Sequence, residues 1–299
     1  MSPVSRAAVR RCHASLNALH STVYFSADLG EELAGYGIGD PTACYLAARA
    51  AALGQVGAGT VTAVFHSFRH DLVARHIPRV WHLAAPEAVV AARLRAADAT
   101  LRRLLGASLT AGAETAEAAQ LALRAAGGGI GPGRPLYAAH AALPVPEKPH
   151  LALWLAATQL REHRGDGHIA ALTHLSIDGL EALVSHSASG AGMPKEIVMS
   201  KRGWTQQDWS GAERRLYERG LMSTDGSLTG AGRRLRRELE DTTDRLDLAP
   251  YERLGQRGVE RLTELAEGLV AVAVRAGAFP QALRPFFTGE LGASGGGGR

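Results

Sequence analysis

Residues 204–240 read WTQQDWSGAERRLYERGLMSTDGSLTGAGRRLRRELE, and the punctuation of this stretch decides the fold. Thr205 with Asp208 three residues on is a carboxylate variant of the capping box and predicts a helix start. Ser210 is placed to cap a second helix over Gly211–Arg219, which Gly220 stops. Leu221, Met222, the turn Ser223-Thr224-Asp225-Gly226 and Leu228 predict a small β-hairpin, because Asp-Gly supplies the positive backbone dihedrals of a tight turn. Thr229 then caps a long charged helix through about Leu246.

Helix, turn, helix, hairpin, helix is the order of a winged helix-turn-helix. The rest of the chain reads as helix as well. Aromatic residues are 5% of the 299, with Ala and Leu abundant, which favours helices over a large sheet. A first helix is expected over 3–20, with Thr22–Phe25 as strand or loop. Asp40-Pro41 opens an Ala-rich helix that stops at Gly54. Pro86-Glu87 opens another through Leu105, with Arg93, Arg95, Arg102 and Arg103 on its wetter side, and Glu114–Ala126 follows. The prolines of 144–149 cannot continue a helix and mark a joint between halves. Leu151–Arg164 is expected as a helix ended by Gly165, Asp166 caps the next over Gly167–Leu175, and Ser176 opens one to about Ser187. Gly190–Gly203 is a connector.

The expected fold class is therefore mainly α: two helical lobes, the C-terminal one a winged helix-turn-helix with a small β-hairpin wing. Residues 1–143 form the helical N-terminal domain and 144–285 the winged-helix domain with flanking helices. The Gly-rich tail, 286–299, is expected to be disordered. Tyr45–Gly54 and Leu160–Gly165 each place arginine near a helix end before glycine, as a diverged tandem repeat would.

Composition excludes several classes. No apolar run approaches the roughly 18 residues of a membrane span, and no signal-like apolar block precedes Arg11, so a cytoplasmic protein without membrane partners is expected. Cys12 and Cys44 are too few for a disulfide framework or an all-cysteine zinc site. Lys and Arg total 33 against 29 Asp and Glu, so the formal charge of +4 decides nothing, and clustering of arginines matters more.

Arg215-Leu216, Arg219-Gly220-Leu221, Leu228-Thr229 and Gly232-Arg233 match the pattern RLxxRGL…LTxxGRxL, and 204–240 is similar to the winged-helix core of MarR-type proteins. A longer stretch, to about Pro280, resembles the SalK-like helix-turn-helix family of actinobacteria. That resemblance rests on Ala47-Ala48-Arg49-Ala50, Leu53-Gly54, Phe65 with Phe68, Pro78 with Trp81, and Arg161-Glu162-His163-Arg164-Gly165-Asp166-Gly167-His168. It implies a helix-turn-helix assignment and no established reaction.

Two functions follow as expectations. In the first, a MarR-like regulator, dimeric and ligand-responsive, binds duplex DNA: Arg214, Arg215 and Arg219 reach base edges or phosphates, while Gln206 and Gln207 fix the backbone. Against it stand the acidic wing tip at Asp225, and Glu213 and Glu218 on the same helix. The run Arg233, Arg234, Arg236, Arg237 is answered by Glu238, Glu240, Asp241 and Asp244, and reads as an exposed helix laced with ion pairs. In the second, the winged helix is a scaffold for a small-molecule enzyme or ligand-binding protein of secondary metabolism. There, two glycines bend the chain so that His163, Asp166 and His168 converge as an acid–base set. In either case Arg161 or Arg164, with Arg49 facing it across a cleft, suits a carboxylate or phosphate on a small-molecule ligand. His66, His70, His76 and His82 read as surface or half-buried residues rather than ligands. No zinc signature occurs, and neither metal nor cofactor is expected.

Overall fold

The structure, a computed structural model, describes residues 4–288. Ser5 caps α1 (Arg6–Ser21) by accepting the Ala8 N–H, and Thr22–Phe25 continues as a 3-10 turn rather than strand or loop. After α2 (Asp28–Ala34), Asp40 caps α3 (Pro41–Ala50), its Oδ1 accepting from the Thr42 and Ala43 N–H groups at 2.8 and 2.9 Å. Short helices α4 (Ala58–Phe65), α5 (His70–His76) and α6 (Val80–Leu83) lead to α7 (Pro86–Thr110) and α8 (Ala113–Ala126). Next come α9 (Pro135–Ala141), α10 (Pro149–His174), α11 (Gly179–Ala188), α12 (Lys195–Arg202) and α13 (Gln206–Glu218). The chain then runs through α14 (Gly230–Leu246), α15 (Leu248–Glu252), α16 (Gln256–Arg275) and α17 (Arg284–Thr288).

Apolar burial divides into two clusters. The larger joins Leu16, Leu46, Leu101 and Leu153 to Tyr251, Leu262 and Ala266, so α15 and α16 return to the core that α1 began. The smaller takes Ala171, Leu180, Trp209, Leu216 and Leu239, from the end of α10 to α14. Helix α10 threads both: residues 151–160 feed the first and Ala171 and Leu172 the second. Its polar middle, 161–168, therefore lies where the two cores meet. Backbone contacts tie the small cluster to the large lobe. Trp204 Nε1 donates to Ser67 O at 2.9 Å, and the Arg69 N–H donates to Arg202 O at 3.0 Å.

Several sequence expectations are overturned. Gly165 does not end a helix and Asp166 caps no following one; α10 runs unbroken through both glycines. Glycine inside a helix costs about 0.5–1 kcal/mol relative to alanine. At Gly167 a Cβ would meet Arg134 Nη1 at 2.5 Å, and the bare backbone lets that guanidinium cross α10 to donate to His163 O and Leu246 O. Ser176 opens nothing: Asp178 caps α11 in a full capping box with Glu181. The 190–203 connector contains α12.

Ser210 does not split the next segment. Thr205 and Asp208 form the expected capping box, and α13 continues past Ser210, which accepts from Gln206 Nε2 at 3.1 Å. The stripe Trp209, Ala212, Leu216 needs that continuity, since each large apolar side chain stabilises by roughly 1.5–3 kcal/mol only if the face is unbroken. The hairpin shrinks to a single antiparallel bridge, Met222 to Leu228, and no named strand occurs among the described residues. Arg93, expected on a wet face, is 5% exposed. Of the expected disordered tail, 286–299, α17 takes the chain to Thr288 and the remainder lies outside the described residues.

Candidate functional site

Helices α12 and α13, the bridge and α14 form one unit. The left-handed Gly203 separates α12 from α13. Leu221 O accepts the Thr229 N–H at 3.1 Å, and a Cβ on Gly232 would lie 2.0 Å from that same carbonyl oxygen. Glycine is thus required where α14 presses on the turn.

The five residues expected to touch DNA separate into two groups. Gln206, Gln207 and Arg214 are exposed on α13. Arg215 and Arg219, also exposed, lean toward α11. Arg215 donates to Glu181 Oε1 at 3.0 Å and Asp178 Oδ2 at 2.6 Å, and Arg219 donates to Glu181 Oε2 at 3.1 Å and Ser176 O at 2.8 Å. They clamp the α11 N-terminus. On α14 one acid also turns inward, Asp244 pairing with Arg10 and, at 2.8 Å, with Arg164, whereas Glu238 and Asp241 are exposed. Only Arg236 keeps the local partner, Glu240 at 3.1 Å. Arg234 and Arg237 are exposed without an ion pair among the described residues.

The polar middle of α10 faces two ways. Arg161, Arg164, Gly165 and His168 lie toward a cavity of about 370 Å³, which Arg49, His13, His186 and Glu240 also line. The structure thus brings together Arg49, Arg161 and Arg164, the three residues expected at a ligand. Arg49 grips Glu162 with two bonds, 3.1 and 2.8 Å, and Arg161 pairs with the same carboxylate. Burial disfavours the Glu162 anion, but Arg49 and Arg161 outweigh it and hold the carboxyl well below its usual range.

The opposite face of α10 is sealed in the core. His163 Nδ1 donates to Asp247 Oδ1 at 2.8 Å, while its Nε2 accepts the Ile130 N–H at 3.4 Å. Asp166 accepts the Tyr137 N–H at 2.9 Å and so caps α9; burial raises its carboxyl to about 6. His168, on the cavity side instead, points to Thr243 Oγ1 at 2.9 Å, and burial lowers its imidazole to about 4. The trio His163, Asp166 and His168 therefore does not face a common space.

Sequence reasoning missed three residues beside the Arg49–Glu162 pair. Arg202, the last residue of α12, lies 4.0 Å over the Phe68 ring and bonds Tyr45. Burial would raise the Tyr45 phenol, yet Arg49, Arg202 and Arg161 draw it down to about 7. Arg93 is buried against Trp154, 4.8 Å from the ring centre, and bonds two imidazoles, His140 Nε2 at 3.0 Å and His20 Nε2 at 3.3 Å. A signal existed for none of the three: Arg202 sits in an apparent connector, and Arg93 and Tyr45 in ordinary helical runs.

Two helices joined by a tight glycine turn, on their own apolar core, define a helix-turn-helix class of protein. A family described as a helix-turn-helix family matches residues 9–280, and the chain belongs to it. No curated protein and no solved structure matches the chain. Among the described residues no helix is long and apolar enough to cross a membrane.

Proposed function

We propose that the protein is a DNA-binding transcription regulator of MarR-like winged-helix type, acting on duplex DNA as a homodimer whose affinity responds to a small-molecule ligand. Membership of a helix-turn-helix family points to DNA binding. The observation that carries the reading is the α12–α13 pair followed by a Met222–Leu228 turn and α14, with Gln206, Gln207 and Arg214 exposed on the second helix. Here α13 is the reading helix, the 222–228 turn a minimal wing, and a dimer places two such helices on half-sites one helical turn apart. Arg215 and Arg219 position α13 through Glu181 rather than meeting phosphate. Arg49, Arg161 and Arg164 at the cavity are the ligand contacts.

The test is fluorescence anisotropy of the full chain with duplex from its own upstream region at low salt. Binding should weaken steeply as salt rises, because phosphate neutralisation releases counterions. Affinity no better than millimolar at low salt would refute it.

A further inference from the structure

Four guanidinium groups surround the Tyr24–Tyr45 ring pair: Arg93 and Arg161 lie at Tyr24, and Arg49 and Arg202 at Tyr45. Among the described residues, the one carboxylate paired with any of them is Glu162. Arg93 has only neutral acceptors: His140 donates its Nδ1–H to Leu136 O at 2.8 Å, leaving Nε2 to accept from the guanidinium. Arg202 has a phenol and an aromatic face. Buried charge is stable only when paired, and this cluster carries cations that no protein carboxylate answers.

Arg49 and Arg161 share the single Glu162 carboxylate, so one positive charge is left over beside space, while Arg93 and Arg202 stand behind the cavity wall. Arg49 and Arg161 line the 370 Å³ cavity, a volume within the roughly 300–1,000 Å³ range of small-molecule sites. Tyr45 and Phe68 stack with ring centres 5.7 Å apart on the flank of these arginines. Arginine forks match the planar geometry of phosphoryl and carboxylate oxygens.

We infer that the arginine cluster binds a dianionic phosphoryl group, either free phosphate or one carried on a small aromatic body, and that the anion ties α12 to the helical lobe. The tie runs through Tyr45, which Arg202 bonds and beside which Arg49 stands at the cavity. Arg49 and Arg161 belong to α3 and α10 of the large lobe, whereas Arg202 ends the first helix of the helix-turn-helix pair, and its carbonyl already accepts the Arg69 N–H. An anion held by both sides stabilises one placement of the reading unit. Its effect on DNA rests on the regulator reading, whereas the site itself does not.

The full chain is titrated calorimetrically with inorganic phosphate and with phenyl phosphate, at constant ionic strength against chloride. One saturable site is expected, and Arg202→Gln and Arg161→Gln should each weaken it about tenfold or more, roughly the loss of one charge-assisted bond, with helical circular dichroism retained. Tighter binding of phenyl phosphate assigns an aromatic carrier, and equal affinity assigns free phosphate. A second readout needs no variant: at pH 8 a bound anion cancels the positive field on Tyr45, so its phenolate absorbance should fall. Absence of binding by both probes, binding with undiminished affinity in both variants, or binding heat without change at Tyr45 would each overturn the inference. Phosphate binding by a chain that ignores duplex DNA would sink the regulator reading alone. Duplex binding with no phosphate binding would sink this inference alone.

Discussion

Arg214 and Arg215 are neighbours in the chain, and the structure gives them different work. Arg215→Ala removes two charge-assisted bonds, to Glu181 Oε1 and Asp178 Oδ2. The Glu181 side chain is 5% exposed, but it keeps Arg219 and the Asp178 N–H as partners, and Arg215 itself is 45% exposed. Hydrogen bonds to charged groups contribute roughly 1.5–3 kcal/mol, discounted here for solvent, so the loss should be about 1–2 kcal/mol. Melting temperature should fall by roughly 2–4 °C for each kcal/mol. Arg214→Ala breaks no side-chain bond among the described residues and should melt like the parent. At DNA the order reverses: if Arg214 neutralises one phosphate, its loss lowers the slope of log affinity against log salt by about 0.9, while Arg215→Ala keeps the parental slope. Anisotropy across a salt series and thermal melts of both variants supply the readouts. A lowered slope with unchanged melting in Arg215→Ala, or a parental slope in Arg214→Ala, would refute the division of labour.

Asp166 offers a pH-dependent check. Its carboxyl is raised from 3.8 to about 6 by burial, so the stability it permits is full below pH 3.8 and is lost as pH rises through 6. Asp166→Asn keeps an acceptor for the Tyr137 N–H and should melt higher than the parent at pH 8, by roughly 2–3 kcal/mol at most, with the advantage shrinking toward pH 4; a less stable variant at pH 8 would contradict the burial argument. Gly232→Ala gains helix propensity but drives a Cβ to 2.0 Å from Leu221 O. A net loss of about 1–3 kcal/mol is expected in chemical denaturation, and a stabilised variant would show that the turn can yield.

What was legible in the sequence was local. Asp40 before Pro41, and Thr205 before Asp208, cap helices in the structure because a cap needs only its own turn. The rest depends on distant partners. Gly167 reads as the start of a new helix, yet it is the crossing point of Arg134, which lies 33 residues earlier in the chain and whose path no local pattern encodes. Arg93 takes a wet position on a helical wheel, but α7 is covered on that side by His20 and His140. Asp166 caps no helix of its own segment; it reaches across to accept the Tyr137 N–H at the start of α9, a partner its residue type could not reveal. Arg49, Arg161 and Arg164 line one cavity because α3 packs beside the middle of α10, which no local pattern encodes. The arginine that completes the cationic cluster, Arg202, was hidden because α12 has few apolar residues to reveal its period, only Val198 being buried.

Charges that cancel along the sequence are paired differently in the fold. In sequence, Arg233–Arg237 and the acids of 238–244 cancel, and Arg214, Arg215 and Arg219 lie diluted among Glu213 and Glu218. In the fold, Asp244 is spent on Arg10 and Arg164, from α1 and α10, while Arg234 and Arg237 remain exposed. On α13 the cancellation runs the other way: Arg215 and Arg219 are absorbed by Glu181, leaving Arg214 with two glutamines. A reading surface built from few cations depends more on polar side chains and on α14 than on a basic recognition helix. On the regulator reading its affinity for nonspecific duplex should therefore be weak, because few phosphates are neutralised.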